Sequence, residues 1–323
     1  MKGLGNAKLI LLQTAPHKQG SGGLHGGGAS SANPQRLWLL AFVSFFTFVS
    51  LLTLFPKQTS LPSSSALDPS SRWAATGSGP LPPDLFDALL HYATVEPAPG
   101  ARMPDADVKA VAAALRRRGP CNLLVFGMGH ETLLWRSLNR GGRTVFLDES
   151  EYYVSRFEER HPGALEAYDV GYTTKVSELP ELLAAARAER KGDCRPVQNL
   201  LFSDCKLGIN DLPNQLYDVA WDVILVDGPR GYSPSAPGRM SAIFTAAVMA
   251  RSARGDANAT TEVFVHDYER EVEKVCSDEF LCSENLVSAS GQLAYFAIQR
   301  RIPGEFDFCL NRNTSHPSSS SAP

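Results

Sequence analysis

Four short apolar segments, separated by helical stretches, constrain the fold of this chain most strongly. The segments are residues 122–126, 144–147, 222–226 and 262–265. Helical patterns cover residues 105–118, 131–139, 151–160, 178–191 and 236–253. Apolar, β-branched runs that alternate with helices are typical of a parallel sheet covered on both faces. The sequence therefore predicts a doubly wound, mostly parallel α/β fold, with a terminal hairpin in "NLVSASGQLAYFAIQ" around Ser290-Gly291.

Two glycines follow the first apolar segment, in "LLVFGMGHETLLW". Gly127 and Gly129 let the backbone turn tightly and let a ligand approach without interference from a Cβ atom, and a helix starting next to them directs free N–H groups to the turn. The dinucleotide fingerprint G-x-G-x-x-G is incomplete, because Thr132 stands where the third glycine belongs. The pattern fits a cofactor turn, and it also fits a plain strand–turn–helix unit.

An acidic pair, Asp148 and Glu149, ends the second apolar segment. A carboxylate about twenty residues beyond the glycine turn is where α/β nucleotide sites bind ribose hydroxyls, so Asp148 is the predicted ribose ligand. The alternative is a helix N-cap followed by a solvated acid. Glycine turn and acid together predict a cofactor pocket of Gly127, Gly129 and Asp148. Without a phosphate-binding third glycine, this pocket suits S-adenosylmethionine better than a nicotinamide dinucleotide.

The third and fourth apolar segments end at polar residues that are candidates for the acceptor side of the site. The loop after the third segment supplies Asp227, Arg230, Tyr232 and Arg239. Asp227 is consistent with a base, a metal ligand or a loop cap. His266 ends the fourth segment and is consistent either with a proton acceptor near neutral pH or with a surface histidine beside Asp267. We predict Asp227 and His266 as catalytic, and Arg230, Tyr232 and Arg239 as substrate-binding. No His/Cys cluster has zinc spacing, so no metal is predicted.

Five regions follow from composition along the chain. Residues 1–36 are Gly/Ser-rich and predicted to be a disordered tail. Residues 37–55 carry no charge and would span about 28 Å as a helix, which predicts a transmembrane anchor; a signal-peptide core and a buried helix are the alternatives. Residues 56–83 read as a Pro/Ser-rich stem, 84–310 as one folded domain and 311–323 as a second disordered tail.

The distribution of charge predicts an orientation in the membrane. The net charge is −3, which does not indicate a nucleic-acid-binding protein, but residues 1–36 carry four basic and no acidic side chains, leaving −7 for the remainder. Basic residues before the apolar span place the N-terminus in the cytosol and the folded domain in the lumen. A short span suits the thinner membranes of the early secretory pathway and Golgi.

The six cysteines would then lie in an oxidising compartment, where disulfides form. Cys194 with Cys205 and Cys276 with Cys282 are the local candidate pairs, although sequence does not fix connectivity. Cys121 opens a buried strand and is a candidate free thiol. The triplets at Asn258 and Asn313 are candidate glycosylation acceptors.

Several long motifs resemble one known family. They are "CNLLVFGMGHETLLW", "RGGRTVFLDE", "LEAYDVGYTTKV", "VDGPRGYSPSAPGRMSAIFTAAVMAR" and "VFVHDYEREVE". The chain resembles, over about residues 84–300, the plant polysaccharide-biosynthesis methyltransferase-like family. The resemblance implies a Rossmann-like S-adenosylmethionine-dependent methyltransferase fold. Gly127, Gly129 and Asp148 stand at positions that match the family's cofactor half.

This family has two branches, and the chain is more similar to the irregular-xylem branch. It reads "VDGPRGY" where the methyltransferase branch reads Val-Asp-Ala-Pro-Thr-Gly-Tyr, so that Gly228 and Arg230 differ, and it carries the stretch "CRPVQNLLFSDC". The resemblance implies a Golgi protein required for xylan biosynthesis in secondary walls, not itself a glycosyltransferase, with other Golgi xylan-synthesis proteins as partners. The alternative it implies is a glucuronoxylan 4-O-methyltransferase that uses S-adenosylmethionine.

Overall fold

One sheet organises the part of the chain that the computed structural model describes, which is residues 79–95, 102–253 and 259–310. Its strands are β1 (Asn122–Phe126), β2 (Arg143–Asp148), β3 (Glu166–Asp169), β4 (Val223–Val226), β5 (Thr260–His266), β6 (Leu286–Ser290) and β7 (Leu293–Gln299). The α-helices are α1 (Pro83–Val95), α2 (Asp105–Arg118), α3 (Thr132–Leu138), α4 (Glu151–Arg160), α5 (Leu179–Ala188), α6 (Met240–Ser252) and α7 (Glu271–Cys276).

The strand order is β3-β2-β1-β4-β5-β7-β6. Strands β3, β2, β1, β4 and β5 are parallel, whereas β7 runs antiparallel to both β5 and β6. This confirms the predicted doubly wound, mostly parallel α/β fold and its terminal hairpin. Because β1 pairs with β2 on one side and β4 on the other, the connections diverge there, and ligands of open α/β sheets bind outside the carboxyl ends of the strands at such a point.

Both faces of the sheet are covered, as the apolar strands require. Along β1, Leu124 and Phe126 pack into one core with α5 and α6, while Leu123 and Val125 pack into a second core with α1, α2 and α3. Helix α6 is the most enclosed, since every residue from Met240 to Arg251 is buried. A mostly apolar helix that is buried on all sides lies inside the protein, between the sheet and other elements.

The predicted elements differ from the observed ones at three places. Strand β3 reads "EAYD" and lacks a continuous apolar run, so hydrophobic pattern did not reveal it. Helix α1, which was not predicted, begins at Pro83, the last residue of the stretch predicted as a stem. Helix α6 begins at Met240 rather than at 236, because the preceding residues form a loop in which the carbonyl of Ala236 accepts a hydrogen bond from Val176.

The cysteine pairing is confirmed in one case and wrong in the other. Cys194 and Cys205 form a disulfide, as predicted. The predicted Cys276–Cys282 pair does not form; Cys282 bonds to Cys309 instead, and Cys276 and Cys121 are buried thiols. Cys276 lies within α7 and packs into the core, whereas Cys282 follows a π-helical turn and meets the returning C-terminal segment.

No helix within the described residues is long and apolar enough to cross a membrane. The predicted anchor at residues 37–55 lies outside the described residues, together with both predicted tails and most of the predicted stem. Asn258 and Asn313 also lie outside them.

Candidate functional site

A cavity of ≈ 230 Å³ opens at the carboxyl edge of the sheet, at the switch point between β1 and β4. It is lined by Gly127, Met128, Asp148, Glu149, Ser150, Tyr153, Asp227, Gly228 and Arg230. Three of these side chains are carboxylates and one is a guanidinium. The structure therefore brings Gly127, Asp148, Asp227 and Arg230, all named from sequence, to one acidic cavity.

Gly127 joins the loops that follow β1 and β4. Its φ is 98°, and a Cβ atom on it would lie 2.7 Å from the carbonyl oxygen of Asp227. A Cβ atom on Gly228 would in turn lie 2.6 Å from the Cα atom of Gly127. The two loops thus touch backbone to backbone, and only glycine fits either position without a shift. Gly129 differs, because its nearest neighbour would be the Glu131 carboxylate at 3.6 Å, and it does not line the cavity.

Asp148 ends β2 and uses both carboxylate oxygens inside the protein. Oδ2 accepts a hydrogen bond from the N–H of Met128 at 2.8 Å, and Oδ1 accepts one from the N–H of Ser150 at 3.0 Å. The side chain is 9% exposed. Asp148 therefore ties the glycine turn to the end of β2, which is a structural function that the ribose prediction did not include.

Glu149 is the carboxylate that sequence reasoning did not select. It lines the cavity, and its Oε2 accepts the N–H of Arg230 at 3.3 Å. Burial, and then the neighbouring charge of Asp148, raise the pKa of the Glu149 carboxyl. The only signal in the sequence was its place directly after Asp148 at the strand end. Glu149 thus adds to the cavity wall a carboxylate that the sequence prediction did not include.

Asp227 and His266 form a hydrogen-bonded pair across the ends of β4 and β5. The strand register pairs Val226 with Val265, so the next residues are neighbours, and Oδ1 of Asp227 lies 2.8 Å from Nδ1 of His266. Burial lowers the pKa of His266, but the hydrogen bond to Asp227 and its charge outweigh burial, and the net shift is upward. Nε2 of His266 is buried and has no hydrogen-bond partner among the described residues.

The two members of this pair meet the cavity differently. The Asp227 side chain is 26% exposed and lines the cavity, whereas the His266 side chain is 10% exposed and does not. Asp227 is thus the group that a ligand would meet. His266 lies on the side of Asp227 away from the cavity and holds its carboxylate through the hydrogen bond.

Arg239 is 3% exposed. It lies beneath the loop that follows β4, residues 227–238, which we call the acceptor loop. Its guanidinium donates to the carbonyl oxygens of Pro229, His266 and Asp227, and it forms ion pairs with Asp227 and Asp267 at 3.4 and 3.0 Å. With these contacts inside the protein, Arg239 holds together the ends of β4 and β5. We assign it as a positioning residue and do not place it against a substrate.

Arg270 supports the same loop from outside the sheet edge. It donates to the carbonyl oxygens of Arg230 and Gly231 and pairs with Asp267 at 2.8 Å and with the fully buried Glu273 at 3.0 Å. Tyr232 is 71% exposed, with the Arg270 guanidinium 5.8 Å from its ring centre. The structure thus leaves Tyr232 at the outer surface of the loop, whereas Arg230 lines the cavity.

The strand order is β3-β2-β1-β4-β5-β7-β6, and β7 runs in the reverse direction. A cavity lies at the switch point between β1 and β4. Together these features define the Rossmann-like fold of S-adenosylmethionine-dependent methyltransferases. The family model described as IRX15/IRX15L/GXM matches residues 106–296. The chain belongs to this family, which contains the irregular-xylem branch that the sequence resembles.

Three relatives from Arabidopsis thaliana illustrate both branches. Protein IRREGULAR XYLEM 15 is 49% identical over 97% of this chain and 97% of its own length. Glucuronoxylan 4-O-methyltransferase 2 is 44% identical over 68% of this chain and 72% of its own length. Arabinogalactan O-methyltransferase 2 is 36% identical over 84% of this chain and 92% of its own length.

Proposed function

We propose that this chain is a Golgi-anchored protein required for xylan biosynthesis, not itself a glycosyltransferase, whose lumenal domain binds S-adenosylmethionine. Its similarity to Protein IRREGULAR XYLEM 15 along almost the whole chain supports the xylan assignment. The observation that carries the cofactor assignment is the cavity at the β1/β4 switch, with Glu149 and Asp227 on its wall.

The residues of the cavity fit this cofactor in two respects. Among the described residues, the Glu149 carboxylate accepts only a long backbone hydrogen bond from Arg230, so it retains acceptor capacity for the hydroxyls of a ribose. Three carboxylates against one guanidinium give the wall an acidic character that suits a ligand carrying a sulfonium cation.

A second candidate function is methyl transfer to a hydroxyl of glucuronoxylan, and the Asp227–His266 pair favours it. S-adenosylmethionine supplies an electrophilic methyl group when bound. Asp227 lines the cavity and would receive the proton of the attacking hydroxyl, while His266 holds the carboxylate in place. A base at this position contributes typically 10²–10⁴-fold to such a reaction, in addition to the effect of positioning.

The position of Arg230 in the acceptor loop argues against rapid transfer of a methyl group. Arg230 shares the cavity wall with Asp227, and its backbone is held by both Glu149 and Arg270. The Arg230 side chain adds a long cationic group to this wall, and it narrows the approach of a sugar to the Asp227 carboxylate. We therefore rank binding of the cofactor above turnover, and expect weak or no methyl transfer to glucuronoxylan.

Calorimetric titration of the full chain with S-adenosylmethionine and S-adenosylhomocysteine tests the proposed function. We expect saturable binding that Glu149→Gln weakens. Transfer of labelled methyl groups to glucuronoxylan tests the second candidate on the same sample. Binding without transfer supports our ranking, and robust transfer abolished by Asp227→Asn would reverse it. A wild-type chain that binds neither compound overturns the cofactor assignment.

A further inference from the structure

A second cavity, of ≈ 490 Å³, lies away from the cavity at the β1/β4 switch. Its wall includes Asp218, which precedes β4, Ser252, which ends α6, and residues 303–306, which follow β7. Because β7 runs antiparallel to the others, all three mark the amino edge of the parallel strands. The cavity thus opens at the edge of the sheet opposite Asp227. Its volume is in the range of small-molecule sites.

One wall of this cavity is the segment that the Cys194–Cys205 disulfide closes. Within it, Nε2 of Gln198 donates to the carbonyl oxygens of Asp193 and Arg195, at 2.7 and 2.8 Å. The N–H of Gln198 donates to Oγ of Ser252 at 3.0 Å, which fastens the segment to the end of α6. The backbone on both sides of Arg195 is therefore held in place.

Arg195 is exposed on this wall, and its guanidinium makes no hydrogen bond or ion pair with another described residue. An unpaired guanidinium in a concave polar site is suited to a carboxylate, which it binds through two parallel hydrogen bonds. Asn199 uses Oδ1 to accept the N–H of Leu201, and its amide nitrogen is a further donor beside Arg195.

Two aromatic rings complete the cavity. Phe306 is 39% exposed, and Tyr217 is held by hydrogen bonds of its hydroxyl to Ile209 and Leu212. Burial raises the pKa of Tyr217 to about 12, so the hydroxyl stays neutral. The two rings, the Asn199 amide and the Arg195 cation present groups that bind the apolar face, the hydroxyls and the carboxylate of an acidic sugar; the Asp218 carboxylate lies on the same wall.

We propose that this cavity binds a uronate-bearing oligosaccharide segment, with the carboxylate on Arg195 and a sugar ring on Phe306. The identification of that oligosaccharide as acidic xylan rests on the proposed function. Because the cavity and Asp227 lie at opposite edges of the sheet, it would retain the polymer and would not present it for methyl transfer. The disulfide-closed stretch "CRPVQNLLFSDC" thereby gains a function of its own.

Calorimetric titration of the full chain with a xylo-oligosaccharide carrying one glucuronic acid, and with its neutral counterpart, tests this site. We expect the acidic compound to bind more tightly. Arg195→Gln should weaken binding of the acidic compound about three- to tenfold and leave the neutral one almost unchanged. Phe306→Ala should weaken both compounds by a similar factor.

Two matched variants control for charge and for loss of an exposed ring. Arg156→Gln removes an exposed guanidinium on α4, and Tyr92→Ala removes an exposed ring on α1, both outside the cavity wall. Neither should change binding. Thermal unfolding of each variant confirms that it is folded.

The two proposals fail separately. If the wild type binds neither oligosaccharide, or if Arg195→Gln and Phe306→Ala bind as the wild type does, the inferred site is overturned even when S-adenosylmethionine still binds. If Glu149→Gln impairs cofactor binding while the oligosaccharide binds normally, both sites are supported as independent. Equal affinity for the acidic and the neutral compound would overturn the uronate assignment.

Discussion

The carboxylate of Asp148 accepts hydrogen bonds from two backbone N–H groups, whereas that of the adjacent Glu149 lines the cavity. Asp148→Ala should therefore destabilise the domain by about 2–4 kcal/mol, because it leaves two donors without their partner. Glu149→Gln should change stability by less than about 0.5 kcal/mol but weaken S-adenosylmethionine binding roughly tenfold. Thermal unfolding and calorimetry of both variants check this division. If Asp148→Ala weakened binding without loss of stability and Glu149→Gln did the opposite, the ribose contact would be assigned to Asp148.

The Asp227–His266 pair makes a prediction about pH. The folded-state pKa of His266 is raised above its ordinary value of 6.5, so its contribution to stability is full below about pH 6.5 and is lost as pH rises through the raised pKa. In Asp227→Asn the favourable charge is gone and burial, which lowers the pKa of His266, becomes dominant. NMR titration of the imidazole should then give a pKa below that of the wild type.

Asp169→Asn, which removes a carboxylate at the end of β3, is the matched control and should leave the His266 titration unchanged. A His266 pKa that Asp227→Asn does not lower would show that the hydrogen bond between them carries no charge stabilisation.

At the scale of elements, the contact between the loops after β1 and β4 is the tightest feature of the site. Gly127→Ala combines a φ of 98° with a Cβ atom 2.7 Å from a carbonyl oxygen, so we expect a loss of about 2–4 kcal/mol in stability and loss of cofactor binding. Gly129→Ala meets nothing closer than 3.6 Å and should remain stable. Denaturant unfolding of the two variants separates them, and equal stability would contradict the close approach of the loops.

The same strands and loops show which parts of the site could be predicted from the sequence. Parallel neighbours end at one edge, so the apolar runs that became β4 and β5 were enough to place Asp227 and His266 at that edge. The choice between Asp148 and Glu149 depends on which carboxylate the turn backbone takes up, and a one-residue difference carries no hydrophobic signal. The buried position of Arg239 depends on how the long loop before α6 folds back under β4 and β5, which no local pattern records.

The strands and helices follow the same rule. β1, α2 and α4 have the predicted limits because a continuous apolar run or an amphipathic pattern with charged ends defines them. β3 is an edge strand of four residues with a polar sequence, held by its pairing with β2, and tertiary pairing of this kind is absent from local sequence. Cys309 is 27 residues from Cys282, so their disulfide likewise depends on the path of the C-terminal segment.

At the scale of the whole molecule, the two disulfides support a lumenal location of the folded domain, because such bonds persist in oxidising compartments. Together with the uncharged stretch at residues 37–55, they lead us to predict a single-pass anchor with residues 1–36 in the cytosol. Protease added to sealed microsomes should trim only the N-terminus and leave the domain intact. Detergent should then expose the domain, and digestion without detergent would contradict the orientation.

The two backbone hydrogen bonds of Asp148 have a consequence for how such chains diverge. A descendant that did not bind the proposed cofactor would still need an acid at this position, since losing the acid would destabilise the fold. Gly127 would also be retained, because it packs against the loop that follows β4 and is not there only for a ligand. Retention of Asp148 and Gly127 in related chains would therefore indicate that the fold has been inherited, and not that the cofactor is still bound. If the proposed cofactor binding were lost, we would expect substitution first at Glu149, whose hydrogen bond from the N–H of Arg230 is long, at 3.3 Å.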